Sequence, residues 1–302
     1  MSSQYYKLSG RFSPAGLAIA LGLGVTGAVM SSAVYAYVMA WIPLVYFLIL
    51  FVFGYSMLMG MLASLALRIG KVRNSAVGAL VGLIIGVAAL YWSWVFWILA
   101  ESSQEVFIWA PDQLWAAIQY LGDKGVWSIK GATPTGVVLF AFWAVEAAAI
   151  VGMSAWSGFK AASNNAFCEK CDCWMEDGVP LGFFSVSPDA NGLKGDLEAG
   201  RLDRLKALSG VTPDESHHTI VSLEDCAKCQ GHKLLTLTER VITFDDKGNQ
   251  QNKDTVLVNR LLVEEQLAGQ ITDFWKASLE EAAKSEEQAA QVPVTSDDTE
   301  ES

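Results

Sequence analysis

The sequence predicts a membrane all-α bundle of four transmembrane helices followed by a small α+β domain outside the bilayer, and three observations predict it. Four apolar runs crowd into residues 1–157, all five Cys and all three His lie beyond them, and the charge divides unevenly. Residues 1–157 carry seven Lys/Arg and five Asp/Glu, leaving fourteen and twenty-seven for the rest, so the net charge of −11 splits into +2 and −13. Nine of the eleven Trp fall in the first stretch, so the 52% hydrophobic content does not describe one water-soluble core. A chain of 302 residues has room for two domains.

The apolar runs are Pro14–Val38, Ile42–Leu67, Ser75–Leu99 and Thr135–Ser157. Each can cross about 30 Å of hydrocarbon at about 1.5 Å per residue, which sets a four-helix transmembrane domain at residues 13–157. Lys7 and Arg11 before the first run, with Val34-Tyr35-Ala36 near its end, imitate a signal peptide. A signal core is shorter, and here a second span follows at once. Gly22-Leu23-Gly24-Val25-Thr26-Gly27 spells a dinucleotide fingerprint, but it lies inside an apolar span with no strand before it, so no cofactor is assigned there.

Orientation follows from the short flanks. Lys7 and Arg11, then Arg68, Lys71 and Arg73, then Lys160 fall on one side of a four-span chain, while the other side has only Lys124 and Lys130. Positive residues stay inside, so both termini are expected in the cytoplasm of a bacterial-type inner membrane, with residues 1–12 as a cytoplasmic tail. On the outer side, Pro111 opens a helical pattern of Leu114, Trp115, Ile118 and Leu121 that stops at Gly122, an interfacial helix near 111–121. Trp92, Trp94, Trp97, Trp109, Trp115 and Trp127 cluster about this face, as an anchoring belt or, alternatively, a ligand-stacking surface.

Two features inside the spans carry more than hydrophobicity. Gly78, Gly82 and Gly86 recur every four residues and strip one helix face of side chains, which suits close helix packing within the chain or between subunits. Glu146 is the one carboxylate well inside a span, where an ionised side chain costs at least ~2.5 kcal/mol. It is expected either to hold the bundle in register, protonated and bonded to a Ser, Thr or Tyr of a neighbouring span such as Thr26, Tyr37, Tyr55 or Ser56, or to handle an ion or proton, or to meet another subunit.

After residue 157 short polar and apolar segments replace the long runs. Cys168-Glu169-Lys170-Cys171 and Cys226-Ala227-Lys228-Cys229 are two CxxC pairs, each able to present two thiolates to one side of a tetrahedral ion. Thr219–Leu223 leads into the second pair as a strand, Leu234–Phe244 leads out as another, Asp246–Asn249 is a turn, and Thr255–Val258 returns. These features, over about residues 166–260, resemble a zinc ribbon, a domain class rather than a named family. The resemblance implies a structural Zn2+ held by Cys168, Cys171, Cys226 and Cys229, and so a zinc-ribbon-like cytoplasmic domain at residues 158–290.

The match departs from the class in two ways. The pairs are 54 residues apart, with a helix expected from Asp196 to Leu208 in the gap, and neither pair is followed at once by glycine. Cys173 and His232 are possible extra ligands, with His217 and His218 also to hand; Cys173 is read first as a free thiol beside Trp174. Disulfides, a thiol redox centre and an iron site compete with zinc, and iron is the less expected metal. A helix from Arg260 to about Ala289 closes the domain, and residues 291–302 form an acidic, Ser/Thr-rich tail expected to be disordered.

No Ser/His/Asp set, phosphate loop, paired carboxylates or open metal site can be assembled, so an enzyme is not expected. The acidic half would repel nucleic acid. The leading expectation is a multi-pass membrane protein whose metal-stapled domain binds a cytoplasmic or membrane protein, with homo-oligomers in view. The alternatives are a small channel or carrier using Glu146, and a membrane-linked redox protein with an iron or thiol site.

Overall fold

The computed structural model describes residues 5–41, 45–128, 132–229 and 233–290. They form two compact units, residues 8–165 and a second unit that joins residues 5–7 to the described residues from 166 onward.

The first unit is helical: α1 (Pro14–Trp41), α2 (Val45–Ile69), α3 (Ser75–Glu101), α4 (Pro111–Lys124) and α5 (Gly136–Ala161). Among the described residues, α1, α2 over Ile49–Ile69, α3 and α5 are long and apolar enough to cross a membrane. Their outward faces carry Met30, Leu50, Met61 and Val145, each at least 65% exposed, a surface that water would not stabilise. α1 and α5 each neighbour both α2 and α3, which puts α1 and α5 on one diagonal of the bundle. Ala20, Ala28, Met59, Ala63, Leu67, Val81, Ile85, Ala89 and Ile150 fill the interior.

Small residues bring α3 and α5 together. A Cβ added at Gly78 would lie 2.5 Å from the Gly158 carbonyl oxygen, one at Gly82 would lie 2.3 Å from that of Ser154, and one at Gly86 would lie 2.8 Å from Val151 Cα. Ser154 completes the seam by donating its hydroxyl to the Gly82 carbonyl at 2.8 Å. α3 begins at Asn74, whose side chain accepts from Val77 N–H at 3.1 Å and so satisfies one of the four open amides of the first turn.

α4 starts with Pro111 and ends at Gly125, where φ is +79°. Leu114, Ile118 and Leu121 pack on Val95 and Ile98 of α3, so the short helix spends most of its apolar face on the bundle. Trp115 is 56% exposed and leans toward Phe140.

The second unit contains a two-stranded hairpin, β1 (Phe167–Cys168) with β2 (Cys173–Trp174), and a four-stranded antiparallel meander of β3 (Val179–Phe184), β4 (His217–Asp225), β5 (Lys233–Phe244) and β6 (Gln250–Val263). Between β3 and β4 lie α6 (Ala190–Glu198) and α7 (Asp203–Lys206), and α8 (Glu265–Ala290) follows the sheet. Phe184, Leu193, Leu197, Leu205, Val221, Leu235, Leu237, Leu261 and Ile271 form its core.

Two expectations from the sequence need correction. The single helix from Asp196 to Leu208 is two: α6 ends at Glu198, capped by Ala199, and Gly200 takes φ +71°, which breaks the helix, although Leu197, Leu202, Leu205 and Leu208 are all buried. The closing helix begins at Glu265 rather than Arg260, because residues 260–263 remain in β6, where Leu261 pairs with Leu235. Arg260 sits at φ +55° beside a register shift, a bulge tied down by its N–H donating to Thr236 Oγ1 at 3.2 Å. The tail at 291–302 lies outside the described residues.

The N-terminal segment takes part in this unit. Tyr5 bridges antiparallel to Leu261, and Tyr6 N–H donates to the Arg260 carbonyl at 2.9 Å. The Tyr6 hydroxyl donates to the Phe167 carbonyl at 3.1 Å and accepts from the Phe167 N–H at 2.8 Å.

Candidate metal centre

Cys168 ends β1, and a turn brings Cys171 back beside it; Cys226 directly follows β4, and a second turn brings Cys229 to the same place. The four thiol sulfurs all lie within 4.8 Å of one another, and Cys168 Sγ to Cys229 Sγ is 3.7 Å. A tetrahedral ion with metal–sulfur bonds of about 2.3 Å requires its sulfurs about 3.8 Å apart, so the four thiols can bind a metal ion with little movement.

The backbone supports that use. The Cys171 N–H points at the Cys168 sulfur, and the N–H groups of Lys228 and Cys229 point at the Cys226 sulfur, so each turn offers amide dipoles to its first thiol. The turn after Cys171 has no glycine, and Asp172 takes φ +50° in its stead, a conformation that Asp tolerates better than most residues.

Burial raises the Cys226 pKa, but the two N–H groups with the Cys173 and Cys168 thiols outweigh it and bring it down to about 6. The Cys229 thiol and burial push Cys171 up to about 12, and burial leads the rise at Cys168 and Cys173. A bound cation would compete with the protons for these sulfurs, since only the thiolate binds metal.

Cys173 stands outside the mutually close four, with its sulfur 3.6 Å from that of Cys226. β2 pairs it across the hairpin from Cys168. His217 is exposed and bonded to Glu239 at 2.6 Å, and His218 is buried with its Nδ1–H donating to the Glu215 carbonyl at 2.7 Å. Neither joins the thiols. His232 lies outside the described residues.

Inside the bundle, Glu146 of α5 accepts from the Tyr35 hydroxyl of α1 at 2.6 Å. Tyr35 is a tyrosine of a neighbouring span but not one of the four residues named from the sequence; it lies on α1, the helix that also carries Thr26 and Tyr37. Tyr35 stacks on Tyr55 of α2, with centroids 4.1 Å apart and planes at 5°. Ser32 lies 2.8 Å from the Tyr55 hydroxyl and 2.9 Å from the Ala89 carbonyl of α3. All four long helices thus meet in one polar layer. Around it, Trp94 packs edge-on to Trp143 at 4.8 Å, and Trp143 to Phe140 at 5.3 Å.

The residues that sequence reasoning missed are Tyr6, which packs with the thiol cluster, and Tyr35. Tyr35 carried a weak signal, as a hydroxyl-bearing residue in a span that also holds Ser31 and Ser32. No protein-family model, curated protein or solved structure matches the chain.

Proposed function

We propose that this is a multi-pass membrane protein whose zinc-stapled extramembrane domain mediates protein–protein interaction or assembly. The observation that carries the reading is the closed set of four thiols at tetrahedral spacing, which leaves a metal no open coordination position for substrate and so suits a structural role. Cys168, Cys171, Cys226 and Cys229 would hold Zn2+, and zinc would supply cross-linking of the two turns and no redox chemistry. Zinc is preferred to iron because it is the commoner ion in sites of two CxxC turns flanked by strands.

An exposed strand pair supports this reading. β5 and β6 continue past the last β4 pairing, His217 with Val241, to the Phe244–Gln250 pair, so their tip stands beyond the sheet with Phe244 69% exposed. The Lys/Arg positions favour a cytoplasmic location for this domain in a bacterial-type inner membrane. The acidic composition disfavours nucleic acid.

The test is metal content by mass spectrometry on detergent-purified protein beside Cys226→Ser. One zinc per chain, lost in the variant, is the expected result; iron would favour the redox alternative, and no metal would refute the reading. Partner binding is then tested by cross-linking and light scattering of the full chain against a Phe244→Asp variant, which should lose the complex while retaining zinc.

A second reading rests on the Glu146–Tyr35 pair across the bundle diagonal: a carrier or channel site for a proton or cation. Flux in liposomes that disappears in Glu146→Gln would support it, and absence of flux in the unmodified protein would remove it.

A further inference from the structure

We infer that Cys173 is an oxidation site: reaction with a hydroperoxide joins it to Cys226 as a disulfide and dismantles the four-thiol centre. The inference rests on the metal reading above and adds a chemical sensitivity to it.

Four sulfurs form the mutually close set and a fifth does not, yet Cys173 Sγ is only 3.6 Å from Cys226 Sγ. The β1–β2 hairpin holds it there, since Cys173 pairs with Cys168 in register and Phe167 packs edge-on against Trp174 at 5.0 Å. A disulfide needs about 2.05 Å between sulfurs, so the gap to close is about 1.5 Å, within the reach of a side-chain rotation in a short hairpin. Cys168 and Cys229 are almost as close, at 3.7 Å, but both of those sulfurs belong to the ligand set and their lone pairs are engaged when an ion is held. Cys173 keeps its lone pairs and is partly exposed, whereas Cys226 is fully buried. Access, not ionisation, selects the thiol that meets the oxidant: Cys226 is closed to solvent and Cys173 is not, so Cys226 is the partner waiting beside it.

The chemistry balances in two steps. The Cys173 sulfur attacks the hydroperoxide, the O–O bond breaks, an alcohol (water, for hydrogen peroxide) leaves, and Cys173 becomes a sulfenic acid. The Cys226 sulfur then attacks the Cys173 sulfur, the S–O bond breaks, and hydroxide leaves to take up a proton as water. Two thiols are oxidised by two electrons and one hydroperoxide is reduced. With the Cys226 electron pair now in the S–S bond, three thiolates remain for the ion, and the closed tetrahedron is lost.

The test treats the detergent-purified full chain and its Cys173→Ser and Cys173→Ala variants with hydrogen peroxide, following zinc release with a colorimetric chelator and disulfides by peptide mapping. The expected result is equal zinc in all three proteins beforehand. Peroxide should then release zinc from the unmodified chain with a Cys173–Cys226 link that dithiothreitol reverses, and at least about tenfold more slowly from both variants. Equal release rates, or a Cys168–Cys229 link instead, would overturn the inference and leave the metal reading intact. Variants that lack zinc from the start would also overturn it, by making Cys173 a ligand. Unmodified protein without zinc would instead bring down the metal reading itself.

Discussion

Replacing Gly82 by Ala should weaken the helical unit, whereas the same change at Gly152 should not. A Cβ at Gly82 would sit 2.3 Å from the Ser154 carbonyl oxygen, about 1.1 Å inside ordinary contact, and the obstacle is backbone that no rotamer change can remove. Separating α3 from α5 to make room costs about 1–3 kcal/mol as overpacking, and stretching the 2.8 Å Ser154–Gly82 hydrogen bond adds about 0.5–1.5 kcal/mol. Alanine returns about 1 kcal/mol through its higher helix propensity. The net loss is about 2 kcal/mol. At Gly152 no atom lies within 4 Å of the added Cβ, so only the propensity gain remains. Thermal unfolding of the detergent-purified protein, followed by Trp fluorescence, measures the difference: nine Trp report on residues 1–157. The midpoint should fall by several degrees for Gly82→Ala and hold or rise for Gly152→Ala. Equal midpoints would refute the reading of α3 and α5 as a seam closed by missing side chains.

Phe184→Ala removes a fully buried ring stacked on Phe274 with centroids 5.9 Å apart and should cost the sheet unit about 3–5 kcal/mol, seen as a lower urea midpoint by circular dichroism. Tyr6→Phe removes the two hydrogen bonds that its hydroxyl makes to the Phe167 N–H and carbonyl, one residue before Cys168, costs about 1–3 kcal/mol, and should speed zinc loss to a competing chelator severalfold. The Arg240 guanidinium holds Asp254 below the usual carboxylate range through two hydrogen bonds, at 2.7 and 2.8 Å, so the aspartate stabilises the fold above its unfolded value of about 3.9. That stability is lost as pH falls through the lower folded value; Asp254→Asn should therefore show a smaller drop in urea midpoint from pH 5 to pH 3 than the unmodified chain.

What the sequence made legible, and what it did not, follows from the range of the signals. Long apolar runs are dictated by the thickness of hydrocarbon, so α1, α2, α3 and α5 could be placed from composition, and the CxxC turns are local geometry, so their spacing announced where four thiols would converge. The split between α6 and α7 turned on one glycine taking a left-handed conformation in a run of leucines that satisfies either one helix or two. The start of α8 was misplaced because Leu261 serves a strand register as well as a helical pattern, and pairing with Leu235 decided the matter. Tyr5 and Tyr6 were illegible, and Tyr35 only faintly marked, for a different reason. Their partners are more than a hundred residues away in the sequence, and no local pattern marks which tyrosine a distant Phe167 or Glu146 will meet.

The junction at Tyr5 and Tyr6 bears on membrane topology independently of the charges. A unit that takes residues 5–7 from before the first span and its remaining residues from after the last can assemble only if both emerge on the same side of the bilayer. The chain must then cross an even number of times, and four spans satisfy this where three or five would not. The Lys/Arg distribution is the expectation for which side, whereas the Tyr6–Phe167 hydrogen bonds require only that it be one side. Lysine labelling of the unmodified chain in sealed vesicles separates the two arguments: Lys7 and Lys247, mapped with a membrane-impermeant amine reagent, should share one accessibility. Opposite accessibilities would show that the joined unit does not exist in the membrane, whatever the charge pattern favours.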